Sequence, residues 1–265
     1  MTAARRSALT AGMQLQDKRI IVTGGASGIG AAAVRAYVKE GARVVSFDVN
    51  DEEGQRVAKD AGASATYLHC NIADRHHLFA GFERAVNLLG GLDVLANVAG
   101  VERRTPAEDI PDDEWDLVFN VNVRGTLYTN QAAFRHLKAR GGRIINFGSG
   151  AGIRGQAGSA HYSASKGAVM AWTRTVAQEW AKYRITVNSV VPAIWTPMYD
   201  AWRARMSDQE RTIHDMAMAH IVPLGGKLGD PDADMAPVMV FLASDAAHFM
   251  TGQCFAVDGG MTMLG

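Results

Sequence analysis

Apolar and polar residues follow one another along the chain in blocks that predict strands followed by helices. Short aliphatic runs typical of strands buried on both faces recur throughout. Such strands are predicted at 19–23, 42–47, 64–69, 92–96, 143–147, 185–191 and 253–258. Segments with helical periodicity separate them, at 31–39, 51–61, 74–89, 111–138, 161–182 and 230–243. This alternation predicts a single α/β domain, a doubly wound parallel sheet of about seven strands with helices on both faces.

The segment 193–229 departs from the alternation. It is rich in bulky apolar residues and follows the carboxyl end of a strand, where ligands bind in such sheets. Two interpretations are compatible with it: a pair of amphipathic helices whose Met and Ile positions pack on the body, and a substrate lid. Residues 1–17 are too weakly apolar for a signal peptide, so they are predicted to be a flexible leader to a cytoplasmic domain of residues 18–265.

A glycine-rich stretch, residues 24–30, stands between the first strand and the first helix. Gly24 permits a tight turn, while Gly28 and Gly30 let backbone N–H groups approach a diphosphate. Asp48 ends the second strand and is placed to accept hydrogen bonds from the ribose of an adenosine. A Rossmann-like dinucleotide site is therefore predicted. NAD is favoured over NADP, because Asp48 would repel a 2′-phosphate and no cation stands beside it.

The charge balance excludes several classes of partner. Lys+Arg and Asp+Glu both number 27, so the formal net charge is zero. This argues against nucleic-acid binding and against an anionic membrane surface, both of which need a basic excess. Cys70 and Cys254 form no CxxC pair, so neither a disulfide framework nor a metal site is expected. No apolar stretch is long enough to cross a membrane.

Ser149, Tyr162 and Lys166 form the second group with chemical meaning. Tyr162 and Lys166 are one turn apart on a predicted helix and therefore share a face. An ammonium near a phenol favours the phenolate, so the pKa of Tyr162 is expected to fall below its usual value. Ser149 follows the fifth strand and is placed to donate a hydrogen bond to the same substrate oxygen. Together the three residues suit proton exchange with an alcohol.

The sequence resembles the NAD-dependent branch of the short-chain dehydrogenase/reductase family over residues 18–261. The matching residues are Thr23, Gly24, Gly28, Gly30, Asn97, Ala99, Gly100, Asn122, Ser149, Tyr162, Lys166, Asn188, Pro192, Thr196, Val257, Asp258, Gly259 and Gly260. The resemblance implies hydride transfer between a secondary alcohol and a nicotinamide ring, giving a ketone. It also implies a homotetramer built on the helices at 111–138 and 161–182 and on residues 261–265.

The resemblance also implies residue roles. Tyr162 is the general acid/base, Lys166 binds the nicotinamide ribose, Ser149 orients the substrate oxygen, and Asn122 holds a water that links Lys166 to solvent. The cofactor is expected to contact Gly24, Ser27, Gly28, Ile29, Gly30, Asp48, Asn71, Ile72, Asn97, Ala99, Gly100, Tyr162, Lys166, Pro192, Ile194 and Thr196.

Three residues depart from the family pattern. Asn71 replaces the usual aspartate near the adenine, and its amide oxygen still accepts a hydrogen bond. Val98 replaces a second asparagine that normally ties neighbouring strands. Ala193 replaces a glycine after Pro192 and restricts the backbone there. The catalytic set itself is complete.

The substrate is less closely defined. The residues predicted to contact it are Ser149, Ile153, Gln156, Tyr162, Trp195, Tyr199 and Trp202. Their aromatic content suggests a cyclic or otherwise apolar secondary alcohol or ketone, while residues 101–103 are further candidates for the pocket. Arg103, Arg104 and Arg154 are candidates to meet an acidic group.

Two other functions stay open. A 3-oxoacyl thioester reductase acting on acyl carrier protein is common on this fold, although Asp48 argues against its usual NADPH. A non-catalytic dinucleotide sensor would require turnover to have been lost, against which the intact Ser149, Tyr162, Lys166 and Asn122 argue. Neither function involves a metal.

Overall fold

Seven parallel strands form one sheet in the computed structural model of the protein, which describes residues 13–262. The strands are β1 Arg19–Thr23, β2 Arg43–Asp48, β3 Ala65–His69, β4 Val94–Asn97, β5 Gly142–Phe147, β6 Ile185–Pro192 and β7 Cys254–Val257. Their order in space is β3-β2-β1-β4-β5-β6-β7. The predicted Rossmann-like, doubly wound α/β architecture is confirmed.

Ten α-helices connect or cover these strands within residues 13–262. They are α1 Gly28–Lys39, α2 Asp51–Ala61, α3 Arg75–Leu89, α4 Asp112–Phe119, α5 Gly125–Leu137, α6 Ala151–Arg154, α7 Ala160–Trp180, α8 Pro197–Arg203, α9 Asp208–Ile221 and α10 Ala236–Ala243. A π-helical turn, Asn120–Arg124, joins α4 to α5. The segment predicted as one helix at 111–138 is therefore helical throughout 112–137, with α4 and α5 continuous through a widened turn. None of the described helices is both long and apolar enough to cross a membrane.

Local sequence signals explain where the helices begin and end. The Asn50 and Asp74 side chains accept hydrogen bonds from the N–H groups of Glu53 and His77 and so cap α2 and α3. Gly90 ends α3 in the left-handed conformation, with φ of 73°. The boundaries predicted for these two helices agree with the structure to within one residue.

The sheet is buried on both faces, because successive side chains of each strand point to opposite sides. Ile20 and Val22 of β1 pack into one apolar layer, whereas Ile21 belongs to the other. The first layer also contains Leu15, whose side chain is fully buried. Residues 13–17 of the predicted leader thus include a residue of the packed core, while residues 1–12 lie outside the described residues.

The segment 193–229 contains α8 and α9. Although bulky apolar residues are frequent here, α9 has no buried residue. Ile213, Met216 and Ile221 are 61%, 63% and 45% exposed. The expectation that the Met and Ile positions of this segment pack on the body is wrong for these three residues, so α9 rests on the surface instead of being part of the core.

Candidate active site

The carboxyl ends of the central strands are aligned by a buried polar network. In the sheet register Thr23 stands beside Asn97, and Asn97 beside Asn146. The Thr23 hydroxyl donates to Asn97 Oδ1 at 3.0 Å, and Asn97 Nδ2 lies 3.2 Å from Thr126 Oγ1 and 3.3 Å from Asn146 Oδ1. Asn97 is 2% exposed. Its side chain is occupied by strand-to-strand contacts, so we expect it to shape the site indirectly.

The glycine loop between β1 and α1 is held by close backbone packing. A Cβ on Gly30 would lie 1.9 Å from the carbonyl oxygen of Gly24, and one on Gly24 would lie 2.8 Å from Ala99 Cα. Gly24 and Gly28 have φ of 71° and 50°, which favour glycine. Gly28 faces Thr196, whose Cγ2 would stand 3.4 Å from a Cβ there. The loop, the tip of β4 and the start of the 193–229 segment therefore meet.

Asp48 ends β2 beside this loop. Its Oδ2 accepts a hydrogen bond from the Ala26 N–H at 3.0 Å, while Oδ1 accepts from the N–H groups of Val49 and Asn50. The backbone thus fixes the carboxylate at the mouth of the glycine loop. Carboxylate oxygens hold several acceptor sites, so these contacts leave capacity for a ribose hydroxyl.

The residues fit a dinucleotide. The start of α1 offers backbone N–H groups, and the capping residue Ser27 makes no side-chain hydrogen bond to them, so they remain available to a diphosphate. Ile29 is buried beneath the same turn. At the opposite end, Gly100 is crowded by the site itself, because a Cβ there would lie 3.3 Å from Lys166 Nζ. An extended ligand would therefore run from Asp48 past the glycine loop to Lys166.

Two residues predicted to contact the adenine lie after β3. Asn71 is exposed, and its Oδ1 accepts a hydrogen bond from the Ala73 N–H at 3.0 Å. Ile72 is 5% exposed and packs against Gly125 at the start of α5. Asn71 therefore shapes its own turn and presents an amide at the surface, while Ile72 offers an apolar wall.

Tyr162 and Lys166 share one face of α7, as the spacing predicts. Lys166 is 5% exposed, and its Nζ donates a hydrogen bond to the Phe147 carbonyl at 2.9 Å and lies 5.8 Å from the Tyr162 ring centroid. Ser149 follows β5 and lies close enough to Tyr162 to lower the pKa of its phenol, and its Oγ accepts a hydrogen bond from the Ala151 N–H at 3.1 Å. The structure brings the three predicted catalytic side chains together.

The acidities of these groups differ from the expectation. Burial raises the pKa of the Tyr162 phenol to about 12, and the nearby Glu102 carboxylate acts in the same direction, while the Ser149 hydrogen bond opposes both. Burial lowers the pKa of Lys166 to about 8. The expectation that Tyr162 has a pKa below its usual value is wrong for the protein alone, because burial of the phenol, reinforced by Glu102, disfavours the phenolate.

Asn122 lies in the π-helical turn and is 1% exposed. Its Oδ1 accepts from the Val101 N–H at 2.8 Å, and its Nδ2 donates to the Val101 carbonyl at 2.8 Å and to Ser165 Oγ at 3.0 Å. The side chain thus ties the loop after β4 to α7. The widened turn places this amide between the two elements, which a regular helix pattern does not reveal.

The residues predicted for the nicotinamide end follow β6. Pro192 ends the strand, and Ile194 is 7% exposed and pairs through the backbone with Gly229. The Thr196 hydroxyl caps α8 by accepting from the Tyr199 N–H at 3.4 Å. Ala193 is accommodated, because its N–H donates to Val257 and its carbonyl accepts from Gly229. The backbone near the site is therefore fixed by β7 and by the end of the 193–229 segment.

The aromatic residues predicted to contact substrate form one cluster on α8 and just before it. Trp195 and Tyr199 pack edge to face with ring centroids 4.9 Å apart, and Tyr199 and Trp202 are 5.6 Å apart. The Tyr199 hydroxyl lies 2.6 Å from His214 Nε2 on α9. The cluster therefore joins the two helices, and Trp195 remains 38% exposed.

The remaining predicted substrate residues lie between β5 and α7. Ile153 is 41% exposed on α6. Gln156 is half-buried, and its Nε2 lies 3.2 Å from Glu102 Oε1. His161, a neighbour of Tyr162, is fully buried with Nε2 3.1 Å from Glu114 Oε1, so it supports the start of α7 from within.

Arg104 is a contact that the sequence pattern did not indicate. Its guanidinium stacks on the Trp202 ring at 3.7 Å from the centroid, and its Nε donates to Glu102 Oε1 at 2.9 Å. The loop after β4 and α8 are thereby connected across the substrate side. The only sequence signal is the run of three charged residues, 102–104, in the loop that follows β4.

Comparisons with known proteins identify the family of the chain. A family model described as enoyl-(acyl carrier protein) reductase matches residues 24–262. The 3-oxoacyl-[acyl-carrier-protein] reductase FabG of Thermotoga maritima is 36% identical over 95% of this chain and 100% of its own. The 2,5-dichloro-2,5-cyclohexadiene-1,4-diol dehydrogenase of Sphingobium indicum is 35% identical over 94% and 99% of the two chains. The D-threitol dehydrogenase of Mycolicibacterium smegmatis is 34% identical over 99% and 100%. The chain belongs to the short-chain dehydrogenase/reductase family, oxidoreductases that bind a nicotinamide dinucleotide.

Proposed function

We propose that the protein is an NAD-preferring dehydrogenase that interconverts a secondary alcohol and a ketone. The observation that carries the proposal is the meeting of Ser149, Tyr162 and Lys166 at one end of a dinucleotide cleft whose other end is Asp48. Ser149 lies near the Tyr162 phenol, and Lys166 lies one turn further along the same helix face. This arrangement suits proton exchange with a hydroxyl held beside a nicotinamide ring.

Asp48 supports NAD over NADP. Its carboxylate is held by three backbone N–H groups, so it cannot swing away without losing those contacts. A 2′-phosphate placed at the ribose would meet this fixed negative charge, and the neighbouring residues 49 and 50 supply no compensating cation. Ribose hydroxyls, in contrast, would donate hydrogen bonds to it.

The chain's own residues would manage the proton and the orientation. Bound NAD would supply the hydride acceptor for the carbinol carbon. Tyr162 as phenolate would take the hydroxyl proton, with Ser149 donating a hydrogen bond to the same substrate oxygen. Burial and Glu102 raise the pKa of Tyr162, so the phenolate needs stabilisation for this step. The ammonium of Lys166 and any cationic charge at the nicotinamide would stabilise it, because an opposite charge favours the charged form.

The substrate side supports an alcohol with a compact carbon skeleton. Trp195, Tyr199 and Trp202 offer an aromatic wall, and Gln156 is linked to it through Glu102 and Arg104. Two relatives are named as dehydrogenases of a cyclic diol and of threitol. We infer that the segment 193–229 acts as the lid over this pocket.

A 3-oxoacyl thioester reductase is the second candidate, and the relative from Thermotoga maritima favours it. Asp48 disfavours the NADPH that such reductases generally use. The Glu102 carboxylate also disfavours an acyl thioester, whose carbonyl groups only accept hydrogen bonds. Both candidates share Tyr162 and Lys166, so they are separated by cofactor and substrate and not by the proton chemistry.

The proposal also includes a homotetramer in a cytoplasmic setting. Ala164 and Ala171 on α7 are exposed small residues that would allow close helix packing. Analytical ultracentrifugation of the purified protein would measure the mass in solution, and a monomer would overturn this part. The residues at 263–265 that were expected at the interface lie outside those described.

A panel of secondary alcohols tests the function. NAD-linked and NADP-linked oxidation of cyclic, aromatic, steroidal and polyol alcohols would be followed by the ultraviolet absorbance of the reduced nicotinamide. We expect one class to be oxidised with NAD and at least tenfold more slowly with NADP. Reduction of acetoacetyl thioesters with NADPH and no oxidation of any alcohol would overturn the proposal in favour of the reductase.

A non-catalytic sensor is separated from both enzymes by Tyr162→Phe. This variant keeps the ring and removes the proton carrier. An enzyme would lose turnover and retain NADH binding, measured by quenching of tryptophan fluorescence. A wild-type protein that binds NADH tightly and turns over no substrate of either class would support the sensor instead.

A further inference from the structure

Glu102 places a carboxylate beside the predicted catalytic group. Its side chain lies in the loop after β4 and is only 19% exposed. The Glu102 charge raises the pKa of Tyr162 further and offsets part of the lowering of the Lys166 pKa by burial. A carboxylate at this place is not needed for hydride transfer to a simple alcohol, and by itself it makes the phenolate harder to form.

The two oxygens of Glu102 have different surroundings. Oε1 accepts hydrogen bonds from Arg104 Nε at 2.9 Å and from Gln156 Nε2 at 3.2 Å. Oε2 receives no hydrogen bond from any of residues 13–262. The bonded oxygen holds the carboxylate beside Gln156 and the Arg104–Trp202 stack, so the other oxygen is an acceptor held near residues predicted to contact the substrate.

The charge around Glu102 is already balanced. Arg104 pairs with the carboxylate and at the same time stacks on Trp202 of the aromatic wall. A positively charged substrate group is therefore not required to neutralise the site. Oε2 is open to solvent, so a neutral hydroxyl of the substrate can replace water as its hydrogen-bond donor.

We propose that Glu102 is a specificity-determining residue whose free oxygen accepts a hydrogen bond from a second hydroxyl of the substrate, so that the enzyme prefers diols and larger polyols. The inference rests on the proposed dehydrogenase function and narrows it. The carbon skeleton of the substrate packs on the aromatic wall, as the sequence suggests. Glu102 adds a hydrogen-bond acceptor to this otherwise apolar pocket, and the substrate must supply a donor for it. An acyl thioester lacks the hydroxyl that this requirement demands.

Matched alcohol pairs test this inference. NAD-linked oxidation of cyclohexanol is compared with that of vicinal cyclohexanediol, and secondary butanol with vicinal butanediol. The variants are Glu102→Ala and Glu102→Gln, with Glu108→Gln as control, because Glu108 is an exposed acid on the same loop. NADH binding and far-ultraviolet circular dichroism check that each variant is folded. If Glu102→Ala does not fold, the isosteric Glu102→Gln is used in its place.

We expect the wild type to oxidise each diol with a higher kcat/KM than its mono-alcohol by about tenfold or more. Glu102→Ala should lose this preference, so that its ratio of kcat/KM for the diol to that for the mono-alcohol falls to about one. Because this ratio is taken within one variant, a change in the acidity of Tyr162 that affects both substrates cancels. Glu102→Gln should keep part of the preference, since its amide oxygen still accepts, and Glu108→Gln should keep all of it.

The outcomes separate this inference from the proposed function. Equal oxidation of diols and mono-alcohols by the wild type, or a diol preference unchanged in Glu102→Ala, overturns the role of Glu102 and leaves the dehydrogenase intact. A wild type that oxidises no alcohol and reduces an acetoacetyl thioester overturns both.

Discussion

The dinucleotide half of the site, from β1 to the end of β2, is assembled from backbone, whereas the substrate half is assembled from side chains. In the first half, Gly24 and Gly30 are crowded by neighbouring main chain, and Asp48 is held by three backbone N–H groups. In the second half, Arg104 reaches Trp202 by stacking, and α9 buries none of its residues.

This difference explains which part of the protein determines cofactor binding and which part determines substrate choice. Backbone contacts in a buried sheet cannot be exchanged singly, so the geometry that holds a dinucleotide is tied to the fold. Side-chain contacts across a surface segment are replaceable one at a time, so substrate choice changes without disturbing the sheet. Tyr162 stands between the halves, with its proton chemistry set by both.

The largest expected effect is at this junction. Tyr162→Phe should reduce kcat/KM for alcohol oxidation by about a hundredfold to ten-thousandfold, because the proton carrier is lost. NADH binding should stay within about threefold of the wild type, since the cleft is unchanged. Tyr183→Phe is the control, because Tyr183 packs on Phe134 away from the site. Substantial turnover by Tyr162→Phe would show that another group carries the proton.

Two glycines test, through the free energy of unfolding, whether the backbone of the dinucleotide half is crowded. Gly24 and Gly90 have nearly equal φ, 71° and 73°, but a Cβ on Gly24 would meet Ala99 at 2.8 Å while one on Gly90 would meet nothing within 4 Å. Both alanine variants bear the left-handed strain of about 1 kcal/mol. Gly24→Ala should cost about 1 to 3 kcal/mol more through overpacking. Urea unfolding measures both, and equal losses would contradict the crowding argument.

The cofactor preference follows as a change in selectivity. Asp48→Ser removes the charge that opposes a 2′-phosphate, and the ratio of kcat/KM with NAD to that with NADP should fall by about tenfold or more. Glu52→Ser, an exposed acid on α2, should leave the ratio unchanged. A ratio unaffected by Asp48→Ser would remove the basis for the NAD preference.

The smallest effects belong to the substrate half. Arg104→Met removes the stacking on Trp202, so KM for the substrate should rise about twofold to fivefold. The same variant removes a cation that lowers the pKa of Tyr162, so the rise of the oxidation rate with pH should move to higher pH. Glu102→Gln removes an anion that raises this pKa, so the rise should move to lower pH.

Arg103→Met is the control for these profiles, because the Arg103 guanidinium contacts only the Glu102 carbonyl within the described part of the chain. Steady-state rates across neutral and alkaline pH measure the shifts. Shifts of the same sign in Arg104→Met and Glu102→Gln would show that their charges do not act on Tyr162.

The sequence predicted the backbone half well and the side-chain half poorly, for physical reasons. Strands and the glycine loop carry their own patterns, because burial and positive φ restrict which residues fit. The approach of Arg104 to Trp202 leaves no pattern, since the two residues lie far apart in the chain. Charged residues are usually solvated, so the sequence indicated Arg104 only as a candidate to meet an acidic group and not as a partner of Trp202.

Two further differences have the same origin. The π-helical turn that positions Asn122 is a change in backbone register inside an otherwise regular helical pattern, and hydrophobic periodicity does not detect it. The pKa of Tyr162 depends on how deeply the ring is buried and on Glu102, which the spacing to Lys166 alone does not determine.

One comparison decides between an NAD-dependent dehydrogenase of diols and an NADPH-dependent thioester reductase. In a single preparation of the wild type, NAD-linked oxidation of a vicinal diol is measured beside NADPH-linked reduction of an acetoacetyl thioester, each as kcat/KM. We expect a higher kcat/KM for the diol reaction than for the thioester reduction, and we expect that NADP does not replace NAD in the diol reaction. A faster thioester reduction with NADPH would contradict the assigned roles of both Asp48 and Glu102.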